Sequence, residues 1–391
     1  MRKKLEKSLC VNYLIRLIVR KRKWIFSSLL VLLLAAVAGC RSVGYYKQAF
    51  SGQMEMLSNQ QPIQGLIDNP STPSKLKEKF RLILSLRQFA EKKLNLPAGG
   101  HYLSYVDLHR SNAVWNIYAA PEFSLTPKSW WFPVVGSVTY RGYFSEAAAE
   151  KYAEKMREKG FDVYVGGVDA YSTLGWFKDP VLNTFIEDSE RRLAALIFHE
   201  LTHQRIFISG DTEFNEAFAT AVAEEGLRRW LEQKNDSAAL GKYQADLKRK
   251  KQFVELIQYT RNRLQSIYGN GDLPDTAKRE QKKLVFQQLQ ENHAKLKAGW
   301  GGHSTYDEWF ADTVNNAKLN TVATYYDLVP AFHQLIRNSN GDLKKFFAEM
   351  KHFTKMSKEK RHQALAAIKI NDEDQFFAAP DFPTQAANLP K

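Results

Sequence analysis

Residues 196–207 read LIFHELTHQRIF, and this stretch decides how the rest of the chain is understood. His199 and His203 are four residues apart, so on an α-helix their imidazoles leave one face a single turn apart. That geometry lets both rings reach one Zn2+ at about 2.0–2.1 Å. Glu200, beside the first histidine, then faces the open side of the ion, where it can hold and deprotonate a bound water. A metal lowers the pKa of such a water from about 15.7 toward about 7. A carboxylate can take its proton and return it to a leaving amine. The rival reading is an ordinary amphipathic helix, because short motifs recur by chance. Three features weigh against it. Leu193, Leu196, Ile197, Phe198 and Leu201 make the segment apolar, as in a buried helix that brings polar groups to a cleft. Two imidazoles and a carboxylate on such a helix are costly to bury without a partner. A further ligand candidate also follows downstream.

A catalytic zinc commonly takes three protein ligands and leaves one position for water. After His203 the candidates are Asp211, Glu213, Glu216, Glu224 and Glu225. Glu216 is best placed. It lies in FNEAFATAV (214–222), where Phe218, Ala219, Ala221 and Val222 can pack against the motif helix. Asp211 and Glu213 suit the N-terminus of this second helix. Glu224 and Glu225, just before Gly226, read as its solvated end.

Outward from the motif, the spacing predicts a helix from Ser189 to Ile206, with Asp188 or Ser189 as N-cap. A break at SGDT (209–212) precedes a helix that ends near Asn235. Residues 236–298 predict a long charged helical hairpin turning at GNGDLP (269–274), and more helix follows from Tyr306 to about Ile370. Upstream, residues 41–98 read as helical, with Leu76, Phe80, Leu84 and Phe89 near one face. Aromatic and β-branched runs between Tyr102 and Tyr143 read as strands. Ser145 caps a helix that Gly160 ends. FDVYVGGVDAYSTLGWF (161–177) reads as a strand, a bend at the glycine pair, and a second extended piece. The expected class is α+β: zincin-like, predominantly helical, with a small mixed sheet. Residues 40–376 are expected to form one domain, and 377–391 a loose tail.

The net charge of +14 would suggest nucleic acid or an anionic surface, but residues 1–39 account for +8 of it, with nine Lys or Arg against Glu6. The lysines of the 236–298 hairpin lack the interleaved aromatics of a nucleic-acid platform, so no nucleic-acid partner is expected. In KRKWIFSSLLVLLLAAVAGC (21–40), a basic stretch precedes an apolar run of 15 residues, Trp24 to Ala38, and then small residues and a cysteine. That order is a secretory signal, and the run is short for a span, which needs about 20 apolar residues. VAGC resembles a bacterial lipobox, which implies cleavage before Cys40 and lipid on its thiol. Residues 1–39 are then a leader, and the protein is exported and lipid-anchored to the cell envelope. Arg41 after the cysteine implies the outer membrane, facing the periplasm, if the cell is Gram-negative. The only other cysteine is Cys10, so the mature chain has no disulfide and depends on its core.

His199-Glu200-x-x-His203 followed by Asn215-Glu216-x-x-Ala219 is similar to the gluzincin metallopeptidases, whose third ligand is the Glu of an Asn-Glu-x-x-Ala element. The chain also resembles a bacterial family of predicted aminopeptidases. The likeness is carried by VGYYKQAFSGQ (43–53), WNIYAAPEFSL (115–125), FPVVGSVTYRGYF (132–144), AYSTLGWFKDPVLNTF (170–185) and FHELTHQ (198–204). It covers residues 43 to about 335. It implies a Zn2+ cofactor held by His199, His203 and Glu216, with Glu200 as base. One departure is that only twelve residues separate His203 from Glu216, fewer than in typical gluzincins. The expected function is a zinc-dependent metallopeptidase and hydrolase, an aminopeptidase acting on peptide substrates, with no obligate protein partner. For the substrate's amine Asp169 is a candidate, within an extended stretch (166–176) that also carries Tyr171. Tyr171, His303, Tyr306, Tyr325 and Tyr326 are unranked candidates for a donor to the oxyanion. Two other readings stand beside this one: a silent lipoprotein that binds a partner through the zincin scaffold, and a hydrolase of a non-peptide amide.

Overall fold

The computed structural model describes residues 44–132, 135–170 and 177–370. The leader, the proposed lipidation site Cys40, Tyr171 and the C-terminal tail lie outside the described residues. The chain divides into two compact units, residues 1–58 and 59–391. In the first, the described part is one helix, α1, over 44–58.

The second unit begins with β1 (Gln61–Pro62), α2 (Ile63–Asp68) and α3 (Ser74–Leu94), followed by the strands β2 (Ser104–Val106), β3 (Val114–Pro121), β4 (Trp130–Phe132), β5 (Gly136–Val138) and β6 (Arg141–Tyr143). Helix α4 (Glu146–Arg157) leads to β7 (Phe161–Val168), β8 (Val181–Leu182) and α5 (Asn183–Ile186). The rest is helical: α6 (Glu190–Arg205), α7 (Thr212–Gln233), α8 (Ser237–Gly269), α9 (Asp275–Gly299), α10 (Asp307–Ala311), α11 (Asn316–Tyr326), α12 (Val329–Asn338), α13 (Leu343–Phe353) and α14 (Lys358–Ala366). No helix among the described residues is long and apolar enough to cross a membrane.

The class is α+β, but the single mixed sheet of the sequence reading is three small sheets. β3 sits between β6 and β7, antiparallel to both; β2 pairs antiparallel with β1 and parallel with β8; β4 and β5 form a hairpin. Several strands are two or three residues long, too short to be joined by backbone pairing alone. The glycine pair does not bend the chain. Gly166 and Gly167 stay in β7, opposite Asn116 and Trp115. A Cβ on Gly167 would fall 2.3 Å from the Asn112 side chain. These glycines therefore allow close approach within the sheet instead of a turn. The stretch 41–98 is also not one helical block: Pro62, Pro70 and Pro73 interrupt it. On α3 the buried stripe runs through Phe80, Ile83, Leu86, Phe89 and Leu94, with Leu84 only half-buried.

The motif helix α6 packs against α7 and α3. Trp230 meets Glu190 near one end of the α6–α7 pair, Phe198 meets Gly226 midway, and His203 meets Glu216 near the other end, so the helices run antiparallel. A Cβ on Gly226 would lie 2.7 Å from Leu94 and 2.8 Å from Phe198. Gly226 is thus mid-helix, where glycine costs about 1 kcal/mol relative to alanine, because the helices meet there without room for a methyl group.

The supposed solvated end of α7 at Glu224 and Glu225 is instead largely buried. Glu224 accepts from Lys250 of α8 at 2.9 Å and contacts His333 of α12 at 2.7 Å. Burial alone would raise its pKa, but Lys250 and His333 outweigh burial and hold it at about 2. Glu225 is gripped by Arg228 and Arg229 of its own helix. Asn316, fully buried at the start of α11, donates to the carbonyls of Pro121, Glu122 and Ser124 at 2.9–3.2 Å. Its backbone N–H reaches Asp162 at 3.0 Å, and Asp162 also takes Lys282 of α9 at 2.7 Å. These bonds dock α11 on the far end of the β3–β7 pair.

Two stability measurements test this packing. Gly226→Ala is expected to cost about 1–3 kcal/mol through overpacking, seen as a lower melting temperature. The Glu224 network contributes above about pH 5 and is lost as pH falls toward 2, because the folded value lies below the unfolded one near 4.3. Glu224→Gln should therefore flatten the acid limb of the stability–pH curve, with wild type losing up to about 3 kcal/mol there.

Candidate metal centre

Helix α6 starts at Ser189, whose hydroxyl accepts from the Arg192 N–H, and ends where Ile206 turns extended. Arg205 is exposed at that end and lies over the Phe347 ring at 5.3 Å. The return to α7 is short and pinned. Asn215 clasps Ile208 from both sides, accepting its N–H and donating to its carbonyl, each at 2.8 Å. Asp211 caps α7 at the Phe214 N–H and receives Arg361 at 2.7 Å and His362 at 2.9 Å from α14. With the loop held this way, twelve residues suffice to bring Glu216, in the second turn of α7, beside the end of α6.

The three sequence-derived ligand candidates meet. His199 Nε2 lies 3.2 Å from His203 Nε2 and 3.2 Å from Glu216 Oε2; His203 Nε2 lies 3.7 Å from the same carboxylate oxygen. The two imidazoles stand at 85°, with centroids 4.8 Å apart. Tetrahedral bonds of about 2.0–2.1 Å require ligand atoms about 3.3–3.4 Å apart. The observed triangle, with edges of 3.2–3.7 Å, spans that spacing. His203 and Glu216 are buried and His199 is half-buried. A second group with metal-like spacing, Asp211, Glu213 and His362, is already charge-balanced by Arg361 and Lys358.

The charges are mutually arranged. Burial would push the Glu216 carboxyl up, but the two histidines overcome it and hold the group far below its ordinary value. Burial would lower His203, but Glu216 and then Glu200 hold it above the usual histidine range. Glu200 is raised, chiefly by burial, with the charges of Glu216 and Asp179 adding to the effect and the histidines opposing it. A carboxylate raised in this way suits a proton acceptor that must later give the proton back.

Tertiary structure ranks the donor candidates. Tyr325, on α11, stacks near His199 with centroids 6.4 Å apart and planes at 27°. Burial first, and then the charge of Glu216, raises its pKa well above the ordinary tyrosine value, so it remains a hydroxyl donor. His303 is exposed and bonded to Thr305, Tyr306 stacks on Phe253 at 4.0 Å, and Tyr326 lies under Lys250 at 4.9 Å. Sequence reasoning passed over Tyr118, which burial and Glu216 keep protonated and which shares a hydrogen bond with Tyr325. It also passed over Asp179, which is paired with buried His101 at 3.1 Å and faces Gln204 at 3.5 Å. Neither has a signal in residue spacing, because each reaches the centre from a separate element. Asp169, at the end of β7, is 3.8 Å from Arg192, seven residues before His199 and so about 10 Å along the helix axis.

Metal binding has a readout independent of turnover. Zinc at a thousandfold excess over its Kd should stabilise the wild-type chain by about 4 kcal/mol. His203→Ala and Glu216→Ala should lose that shift and retain no zinc on elemental analysis.

Neither the curated proteins nor the solved structures contain a match to this chain. Among protein families, residues 44–365 match the one described as putative aminopeptidase. That match covers most of the chain, including every residue of the His199–His203–Glu216 centre and Glu200. The protein belongs to the putative aminopeptidase family.

Proposed function

We infer that this protein is a zinc-dependent metallopeptidase that hydrolyses peptide bonds as an aminopeptidase. The observation that carries the reading is the triangle of His199 Nε2, His203 Nε2 and Glu216 Oε2, with edges of 3.2, 3.2 and 3.7 Å and Glu200 beside it. Two imidazoles and one carboxylate suit zinc and leave a fourth position free. Zinc held there would polarise the scissile carbonyl and make water acidic enough to attack at neutral pH. Glu200 would take the proton of the attacking water and pass it to the leaving nitrogen. Tyr325, still protonated, would donate its hydroxyl to the oxygen that gains charge during attack. His199 is the partly exposed member of the three, and a substrate would approach from its side. The aminopeptidase mode rests on the family description.

The N-terminal sequence supports a location as well. A basic stretch, an apolar run from Trp24 to Ala38 and VAGC support the reading that the domain is exported and lipid-anchored through Cys40 to the envelope. Peptides reaching that compartment would be its substrates.

Glu200→Gln is expected to keep zinc and to lower kcat by about 10²–10⁴-fold. Tyr325→Phe should lower kcat by about 10²–10³-fold with little change in KM. Mass spectrometry of peptide mixtures incubated with the zinc-loaded protein should show single residues released from N-termini. A fully active Glu200→Gln protein would end this reading, and internal cleavage alone would end its exopeptidase part.

A further inference from the structure

Eight large hydrophobic side chains are exposed among the described residues, and three of them share one short helix. Tyr46, Phe50 and Met54, on α1 (44–58), are 47%, 69% and 43% exposed. Their spacing of four residues puts them on successive turns of one face. The other five, Leu103, Trp131, Phe177, Leu284 and Ile370, are dispersed along the chain, and single exposed apolar residues need no explanation. Elsewhere on the same helix Gly52 and Met56 are buried, and Tyr45 and Ala49 are half-buried. The exposed apolar side chains of α1 thus lie together on one face.

The chain preceding α1 indicates what meets the open side. The apolar run from Trp24 to Ala38 and Cys40 end only a few residues before residue 44. Four residues span at most about 14 Å. If Cys40 carries lipid, the start of α1 is held within that distance of the bilayer. The same holds if the apolar run stays uncleaved in the membrane. Tyrosine and phenylalanine favour the boundary between headgroups and acyl chains, and helices lying there bury one apolar face about 5–10 Å deep. α1 carries only Lys47 and Glu55 as charged residues, so hydrophobic insertion rather than attraction to anionic lipid would hold it.

We propose that the Tyr46–Phe50–Met54 face of α1 docks into the interface of the phospholipid bilayer that holds the chain's N-terminal anchor. The proposal rests on the envelope-anchored reading of residues 24–40 and is independent of the hydrolytic reaction. It gives the enzyme a second membrane contact directly after the anchor.

The test uses the full chain in bacterial membranes, with photoreactive benzoylphenylalanine replacing one residue at a time. Positions 46, 50 and 54 are compared with Leu103 and Leu284, which are exposed and apolar elsewhere. After irradiation, mass spectrometry reads phospholipid adducts on the membrane-fraction protein, and an unchanged limited-proteolysis pattern verifies the fold of each variant. Adducts at least about tenfold above the Leu103 and Leu284 level at all three α1 positions are expected, since these sit within the 5–10 Å insertion depth. Adducts at the control level, or cross-links to protein in place of lipid, would overturn the proposal while leaving the anchor reading intact. Full chain recovered only in the soluble fraction would overturn both.

Discussion

The contact on which the structure depends is the burial of the Glu216 carboxylate against the imidazoles of His199 and His203. An isolated carboxylate at this depth would be strongly unfavourable, and the two histidines make it the most favourably held acid of the centre. The contact exists only if α6 and α7 run antiparallel at close range over their whole shared length. Gly226 permits that approach midway along the pair by leaving Phe198 and Leu94 room. Asn215 and Asp211 secure it at one end by tying down the loop between the helices. The site is therefore a property of the helix pair and not of the motif helix alone.

Around that pair, buried charges serve as fixed points for the elements that complete the centre. Glu224 joins α7 to α8 and α12 through Lys250 and His333. The same Lys250 lies against Tyr326, the neighbour of Tyr325. At its other end α11 is held by Asn316 and Asp162. Fixed at both ends, α11 presents Tyr325 to His199.

Much of this was legible in the sequence. The i, i+4 histidines, the Asn-Glu element, the capping serines at 145 and 189 and the hairpin turning near residue 270 all stand where local pattern places them. What misled was local too. Paired glycines ordinarily signal a bend, yet Gly166 and Gly167 make room for Asn112 and Tyr164 within a continuous strand. Two acids before a glycine ordinarily signal a helix end, yet Glu224 and Glu225 have partners waiting on α8, α12 and the next turn of α7. In both cases the deciding partner is distant in sequence, or its orientation cannot be read from spacing.

The sequence by itself determined the residues that could hold a metal, the carboxylate beside them and the helices that carry them, because a helix converts spacing directly into facing side chains. Only the tertiary structure decided that Glu216, among five downstream acids, meets the histidines, and that Tyr325, among the four candidate donors within the described residues, stacks near His199. The physical reason is the same for both: each choice is a distance between elements that the helical repeat does not link. That distance is set by how closely two buried surfaces pack, and packing is a property of the whole fold.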